Sequence, residues 1–323
     1  MIQLQSVDIA ILGGGLAGLS LAVELSDQAF AHLTIVVLEP RESYRRDKTW
    51  SYWRQAPHDF SDCEVASWHA WRIANAQDSV IVKSDHAENY RYASIASDAF
   101  YLSALAKIKA CKHIHLLQNE LVESLRTEAN MAIIALKSAK NIIVKQAIFD
   151  SRPPQSASNN PIGPHLNLNQ HLTQHFLGLE LQADSAIFDT NYVDLMDFQV
   201  NDHGIHFMYV LPYTSTHALI ESTWICSHPH HNDYITEIQK YLAKRWPNAK
   251  FDIAYTETGR LPLVAEKAQS YRLGKTQVVP IGSRAGTARA ATGYAFLETL
   301  SDNKRLANLL KTNQTLSAFK RNT

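Results

Sequence analysis

The chain has 323 residues, 46% hydrophobic and 19% charged, which is enough apolar material for one large domain or two that share a core. Lysine plus arginine and aspartate plus glutamate each total 31, so no charge excess recommends a nucleic acid partner. Three cysteines, Cys63, Cys111 and Cys226, lie far apart without a CxxC pair, and with no secretion signal they point to a reduced, cytoplasmic setting.

The opening stretch, "MIQLQSVDIAILGGGLAGLSLAVEL", lacks a positive n-region and an A-x-A cleavage site. Asp8 and Glu24 bracket only 15 residues, too few for a membrane helix. It reads instead as a buried strand (Ile9 to Leu12), a glycine turn, and a helix with apolar Leu16, Leu19, Ala22, Val23 and Leu25. "LTIVVLEP" (Leu33 to Pro40) is the next buried strand, so the unit is strand–helix–strand with a parallel pair implied.

Gly13-x-Gly15-x-x-Gly18 fills the turn between them and matches the dinucleotide fingerprint. Gly13 allows a tight turn, Gly15 lets backbone approach a pyrophosphate, and Gly18 allows close helix–strand packing. The pyrophosphate is expected at the helix N-terminus, where free N–H groups and the dipole favour negative charge. Glu39 ends the next strand, 21 residues past Gly18, placed for a ribose hydroxyl. Arg41 meets the adenosine end of the cofactor or is a surface arginine. The fingerprint itself fits NAD and FAD alike.

"WHAWRIANA" and "DSVIVKS" read as strands of a second, more polar sheet, and Ser97 to Cys111 as a helix with a serine N-cap. "HIHLLQ", "MAIIALKS" and "NIIVKQAIFDSRP" read as a three-stranded meander, and Pro153 to Pro164 as a loop. Several longer strands are expected between Gly178 and Ile225. One of them, within "LPYTSTHALIESTWIC", carries Glu221, a residue type that strands usually exclude. It shares a face with Leu219 and Thr223. From the residues alone it either faces water or is held in a cavity for chemistry.

Two histidine groups invite a metal reading: His171 and His175 in "HLTQH", spaced for one helical face, and His228, His230 and His231 in "SHPHHND". Neither brings the three ligands and supporting shell of catalytic zinc, and HExxH is absent, so no metal is expected. "DYITEIQKYLAKRW" is an amphipathic helix whose stripe suits its own sheet better than a membrane surface.

"VVPIGSRAG" then brings a buried strand to a late glycine turn at Gly282. Together with Asp150 and Arg152 of "IFDSRPP", this leans towards FAD, although Ser283 stands where an aspartate commonly follows such a glycine. The fold expected is α/β. A discontinuous FAD-binding Rossmann-like domain (1–60, 95–155 and 255–323) is interrupted by a mixed-sheet substrate domain (61–94 and 156–254).

Read together, several stretches resemble the lycopene cyclase family: Gly13 to Gly18 with Glu39, "DKTWSYW", "FDSRP", "QHFLGLEL", "DLMDF", "FMYVLPYTSTHALIEST" and "RAGTARAATGY". They stand in the family's order from the chain's start to near its end. The resemblance implies a p-hydroxybenzoate-hydroxylase-like architecture and bound FAD, active when reduced, with NADPH or NADH as electron donor. The implied substrate is lycopene or a similar linear carotenoid whose ends are cyclised without net redox change. That substrate implies an enzyme at a membrane surface, peripheral at the inner face of the cell membrane.

For the cofactor the resemblance points to Gly13, Gly15, Gly18, Glu39, Arg41, Asp150, Gly282, Arg284, Gly286, Thr292 and Gly293. Trp50 and Trp53 line a polyene tunnel or are ordinary core aromatics. Glu221 takes the family's acid position and is expected to deliver the proton. A second acidic or aromatic residue often follows it; here Ser222 does.

Family members typically run several dozen residues beyond the "ATGY" helix, so a shortened or incomplete chain is expected. The alternatives are a flavin monooxygenase or reductase acting on an apolar polyene, and an FAD-binding relative without catalysis. Ring type, the number of ends cyclised and the oligomeric state stay open.

Overall fold

The computed structural model describes residues 5–84, 90–153, 172–227, 233–263, 268–312, 314 and 316. The chain forms two compact units: Met1–Arg45, Phe100–Leu166 and Ala265–Thr323 make the first, Arg46–Ala99 and Asn167–Val264 the second.

In chain order, strand β1 (Ser6–Leu12), helix α1 (Leu16–Glu24) and strand β2 (Ile35–Glu39) come first. Strands β3 (Thr49–Arg54), β4 (Glu64–Trp68), β5 (Ala70–Ala74), β6 (Ser79–Lys83) and β7 (Arg91–Ala96) precede helix α2 (Ser97–Lys109). Next are β8 (Ile114–Gln118), β9 (Val122–Glu128), β10 (Met131–Leu136) and β11 (Asn141–Asp150). Strands β12 (Thr173–Ala183), β13 (Val193–Gln199), β14 (Ile205–Pro212) and β15 (His217–Cys226) lead to helix α3 (Tyr234–Arg245). Strands β16 (Phe251–Pro262), β17 (Tyr271–Leu273) and β18 (Thr276–Pro280) and helix α4 (Phe296–Lys311) complete the described elements.

The first unit is built on a sheet of order β17-β18-β11-β1-β2-β8, with β10 on β11 and β9 on β10. All of β2 and the second half of β1 are buried, the pattern of strands covered on both faces in a parallel sheet. Leu12 stands opposite Leu38 and Asp150, and Asp150 opposite Pro280, so four parallel strands end level with one another. Ligands of open α/β sheets bind at such ends. Asn303 of α4 donates its amide to Ala17 O (2.8 Å) and Ser20 Oγ (2.7 Å), tying that helix to α1.

Two strand expectations change here. "HIHLLQ" is β8, which pairs parallel with β2 instead of opening the meander. The meander's first strand is β9, "VESLRTE", which sequence missed because nearly all of its side chains face water.

In the second unit the seven-stranded sheet runs β16-β12-β15-β14-β13-β5-β6, and β3-β7-β4 form a separate three-stranded sheet. Of "WHAWRIANA", Trp68 ends β4 and Ala70–Ala74 form β5, in different sheets. Helix α3 packs Ile238, Tyr241 and Leu242 on Leu179, Leu181, Met208, Val210, Ala218 and Ile220, so its stripe covers its own sheet. Strand side chains alternate between faces, so Gly178, Glu180, Tyr209, Glu221, Thr223, Tyr255 and Glu257 share the opposite face.

The unit boundaries differ from those read in the sequence. β16 pairs with β12 along its length, which carries residues 255–264 into the second unit. β3 pairs with β7, which carries 46–60 there too. His175 lies on β12, a strand, so no helical face pairs it with His171; His171, His228, His230 and His231 lie outside the described residues.

Candidate active site

The first unit holds a nucleotide cradle. The chain leaves β1 through Gly13, whose φ of +96° any side chain would resist; an added Cβ would also lie 2.5 Å from Ser151 Oγ. At Gly18 a Cβ would lie 1.8 Å from Gly13 O, so only hydrogen lets α1 start this close to β1. Gly15, the N-cap of α1, differs: no atom lies within 4 Å of its would-be Cβ. Open space above the first turn of a nine-residue helix, whose first N–H groups have no intrahelical partner, fits a pyrophosphate.

Glu39 is 3% exposed and accepts from Gly14 N–H (2.6 Å), Arg41 N–H (2.9 Å) and the Arg41 guanidinium (2.9 Å). The Arg41 guanidinium also reaches Gly14 O and lies over the rings of Tyr44 and Tyr101. Glu39 thus braces the glycine turn, and a ribose hydroxyl would share its carboxylate with Arg41.

Asp150 is fully buried and pairs with Arg152 (2.8 Å) and Arg284 (3.4 Å). Gly282 begins the turn after β18, with α1's Ala17 against it, and the turn closes at Gly286. Thr292 and Gly293 lie just beyond, both donating N–H to Arg289 O. The cofactor residues expected from the sequence therefore belong to one unit.

The second unit holds a buried carboxyl cluster. Gly178 on β12 stands opposite Glu221 of β15 on one side and Glu257 of β16 on the other. Glu221 is 7% exposed and Glu257 5%. A Cβ at Gly178 would lie 3.2 Å from Glu257 Cγ and 3.7 Å from Glu221 Oε2, so both side chains lean over the gap the glycine leaves. Glu180, two residues on, takes Arg46 and His217 (2.9 Å) as partners.

Burial, then the charge of Glu257, push Glu221 up to about 8, against a hydrogen bond from Thr223 Oγ1. Burial raises Glu257 to about 7, opposed by Thr49 Oγ1–H donating to Oε2 (2.8 Å) and by Arg46. A carboxylic acid that keeps its proton near neutral pH is equipped to give it away. Phe176 and Tyr209 lie on the same face, in register with Thr223 and Glu221.

Trp53 sits among aromatics, edge-on to Trp71 (4.3 Å) and stacked with Tyr90 (5.5 Å). Trp50 is on β3 opposite Ile95 and half-buried. Among the described residues no group of three or more His, Cys, Asp or Glu is arranged to hold a metal ion.

A model of the lycopene cyclase protein family matches residues 8–322, nearly the whole chain. The chain belongs to the lycopene cyclase family. It is 25% identical, over 94% of its length, to lycopene beta-cyclase of Pseudescherichia vulneris, of which it covers 75%. It is 21% identical, over 95% of its length, to the chloroplastic lycopene beta cyclase of Arabidopsis thaliana, of which it covers 60%. Its fold resembles a geranylgeranyl bacteriochlorophyll reductase-like protein from Thermoplasma acidophilum (TM-score 0.68, 13% identity, 96% of this chain and 79% of that one). It also resembles the flavin-dependent monooxygenase PieE, solved with FAD and substrate (TM-score 0.66, 11% identity, 95% and 58%). The architecture is the p-hydroxybenzoate-hydroxylase type expected from the sequence.

Within this cyclase-family fold, Glu257, Glu180, Arg46 and Thr49 went unseen in the sequence. Glu257 fell on the wrong side of the boundary read at residue 255. Its signal was the alternation Tyr255, Glu257, Gly259 in a strand pattern. Glu180 sits in "QHFLGLEL" two residues after a strand glycine, itself a mark of close approach by neighbours.

Proposed function

We propose that the protein cyclises the ends of lycopene or a similar linear carotenoid, with Glu221 as the proton donor. One observation carries this reading: a carboxyl at the family's acid position, buried in a strand and pushed up to about 8 by burial and Glu257. Protonating an isolated carbon–carbon double bond demands an acid that arrives still protonated, which an ordinary carboxyl near 4.5 does not at neutral pH.

In the step proposed, the Glu221 O–H bond breaks and a C–H bond forms at the terminal alkene. The electron pair of a neighbouring double bond then closes the ring. A ring proton passes to water as its C–H electrons form the ring double bond, with Glu221 regaining a proton from solvent. Product and substrate have equal mass. Thr223 holds Glu221 Oε1, fixing the carboxyl's direction. The faces of Phe176 and Tyr209 suit a passing carbocation, each ring offering about 0.5–2 kcal/mol.

FAD is the cofactor this reading requires, held by the Gly13–Gly18 turn and α1 N-terminus, Glu39, Arg41, Asp150, Arg284 and the glycine turns at Gly282, Gly286 and Gly293. Bound and reduced, by NADPH or NADH, it supplies fixed negative charge that favours a cation in a dry site. An apolar polyene does not travel through water, so the enzyme would work at a membrane surface, peripheral to the inner face of the cell membrane. Among the described residues no helix is long and apolar enough to cross one.

The test is mass spectrometry of the product from lycopene in liposomes, with reduced FAD and without oxygen. A less coloured product of unchanged mass supports the reading. Added oxygen marks a monooxygenase, added hydrogen a polyene reductase, and either overturns it.

A further inference from the structure

Glu257 gives up no proton in the step above, yet it is buried beside the proposed acid. Three features set the two carboxyls in one relationship. Both flank Gly178 in register, and the missing side chain of that glycine leaves them a common space. Both are withdrawn from water, so two negative charges there are costly and one proton is retained between them.

The third feature is asymmetry. Glu257 accepts the Thr49 hydroxyl at 2.8 Å and feels the charge of Arg46, so the anion is best seated there. Glu221 has the Thr223 hydroxyl at Oε1.

We propose that Glu221 and Glu257 form one carboxyl pair carrying a single proton, with Glu257 the positioning residue that keeps the proton on Glu221. This rests on the cyclase reading for its purpose, but the pair itself is a property of the second unit alone. The phenol of Tyr213 is pushed above its usual range by burial and by the charges of Glu180 and Glu257, and so stays neutral beside the pair. Glu180, paired with Arg46 and within reach of His217, adds negative charge that raises Glu257, and Arg46 also lies over the Tyr255 ring (4.3 Å). Asp47 adds negative charge towards Glu257, reinforcing retention of a proton by the pair. The phenol of Tyr255, in register with Glu180, is held above its usual range by burial and by Glu257 and so stays neutral. Tyr209 of β14 faces Glu221 and has Tyr92 as its hydroxyl partner. With Glu257 ionised, Glu221 resists ionising. With Glu257 replaced by a neutral amide of the same shape, that resistance weakens while burial remains.

The experiment is infrared titration of the protonated carboxyl C=O band in the purified protein, which needs no turnover. At pH 7 the band is expected in the wild type and diminished in Glu221→Gln, where Glu257, raised by burial, keeps part of a proton. In Glu257→Gln its midpoint should fall by about one pH unit or more, a roughly tenfold smaller protonated fraction on the alkaline side. Glu257→Asp should move it back towards wild type, which a merely structural role would not require. Should Glu257→Gln fail to fold, Thr49→Val serves: losing the donor to Glu257 should shift the proton towards Glu257, read as a band of similar size at a changed frequency that survives the added Glu221→Gln change.

An unmoved midpoint in Glu257→Gln, or an undiminished band in Glu221→Gln, overturns the pair. Absence of a cyclised product from the wild type, with these titrations as expected, would overturn the cyclase reading and leave the pair standing.

Discussion

Glu221 stands in a strand flanked by Leu219 and Thr223 on its own face, and that face is as dry as the one under α3: Leu219 is 1% exposed and Thr223 fully buried. Alternation in the sequence names the face but not what covers it, and only the family motif singles out Glu221. Glu257 lacked even that help. Its partners Thr49 and Arg46 lie some 200 residues away in sequence, and no local pattern reports such a meeting.

Burial of a raised carboxyl leaves a trace in stability. The unfolded chain ionises Glu221 near 4.5, while the folded chain holds the proton to about 8. Stability from this residue is therefore complete below about pH 4.5 and falls as pH rises towards 8, by roughly 3–5 kcal/mol at most. Urea unfolding between pH 5 and 8 should show that decline in the wild type and a flatter curve in Glu221→Gln. Parallel curves would mean that the carboxyl is not held protonated.

At the scale of elements, the β1–α1 turn is legible, because Gly13 and Gly18 each answer a steric demand that spacing reveals. Gly15 alone has free space above it, which separates binding from folding. Gly15→Ala is expected to fold with a thermal midpoint within a few degrees of wild type and to bind FAD at least tenfold more weakly, checked by flavin fluorescence titration. Unchanged affinity would move the pyrophosphate elsewhere.

Helix α3 was legible as an amphipathic helix, but its polar latch was not. Ser222 Oγ–H and Trp224 Nε1–H both donate to Glu237, and His206, stacked on Trp224, meets Ser222 at 3.0 Å. Glu237→Ala leaves these donors without their acceptor and should cost about 2–4 kcal/mol by denaturant unfolding, with Glu237→Gln costing less. The meander's first strand is hidden in the sequence for the opposite reason. β9 has little apolar patterning, and only its pairing with β10 makes it a strand.

Across the whole molecule, the cofactor cradle and the carboxyl cluster occupy different units, each assembled from separated stretches of chain. The interleaving was legible in outline from the strand–helix–strand start and the late glycine turn. Its boundaries at 45/46 and 264/265 were not, since only the pairing of β3 with β7 and β16 with β12 draws them.

The division makes the central claim separable, because an isosteric change at Glu221 leaves every cradle residue in place. The most direct measurement is the anaerobic rate on lycopene in liposomes with reduced FAD, comparing wild type with Glu221→Gln at equal flavin content. Loss of the proton donor should slow formation of the equal-mass product by a factor of about 10² or more with FAD binding intact. A variant that turns over within about threefold of wild type would contradict Glu221 as the acid.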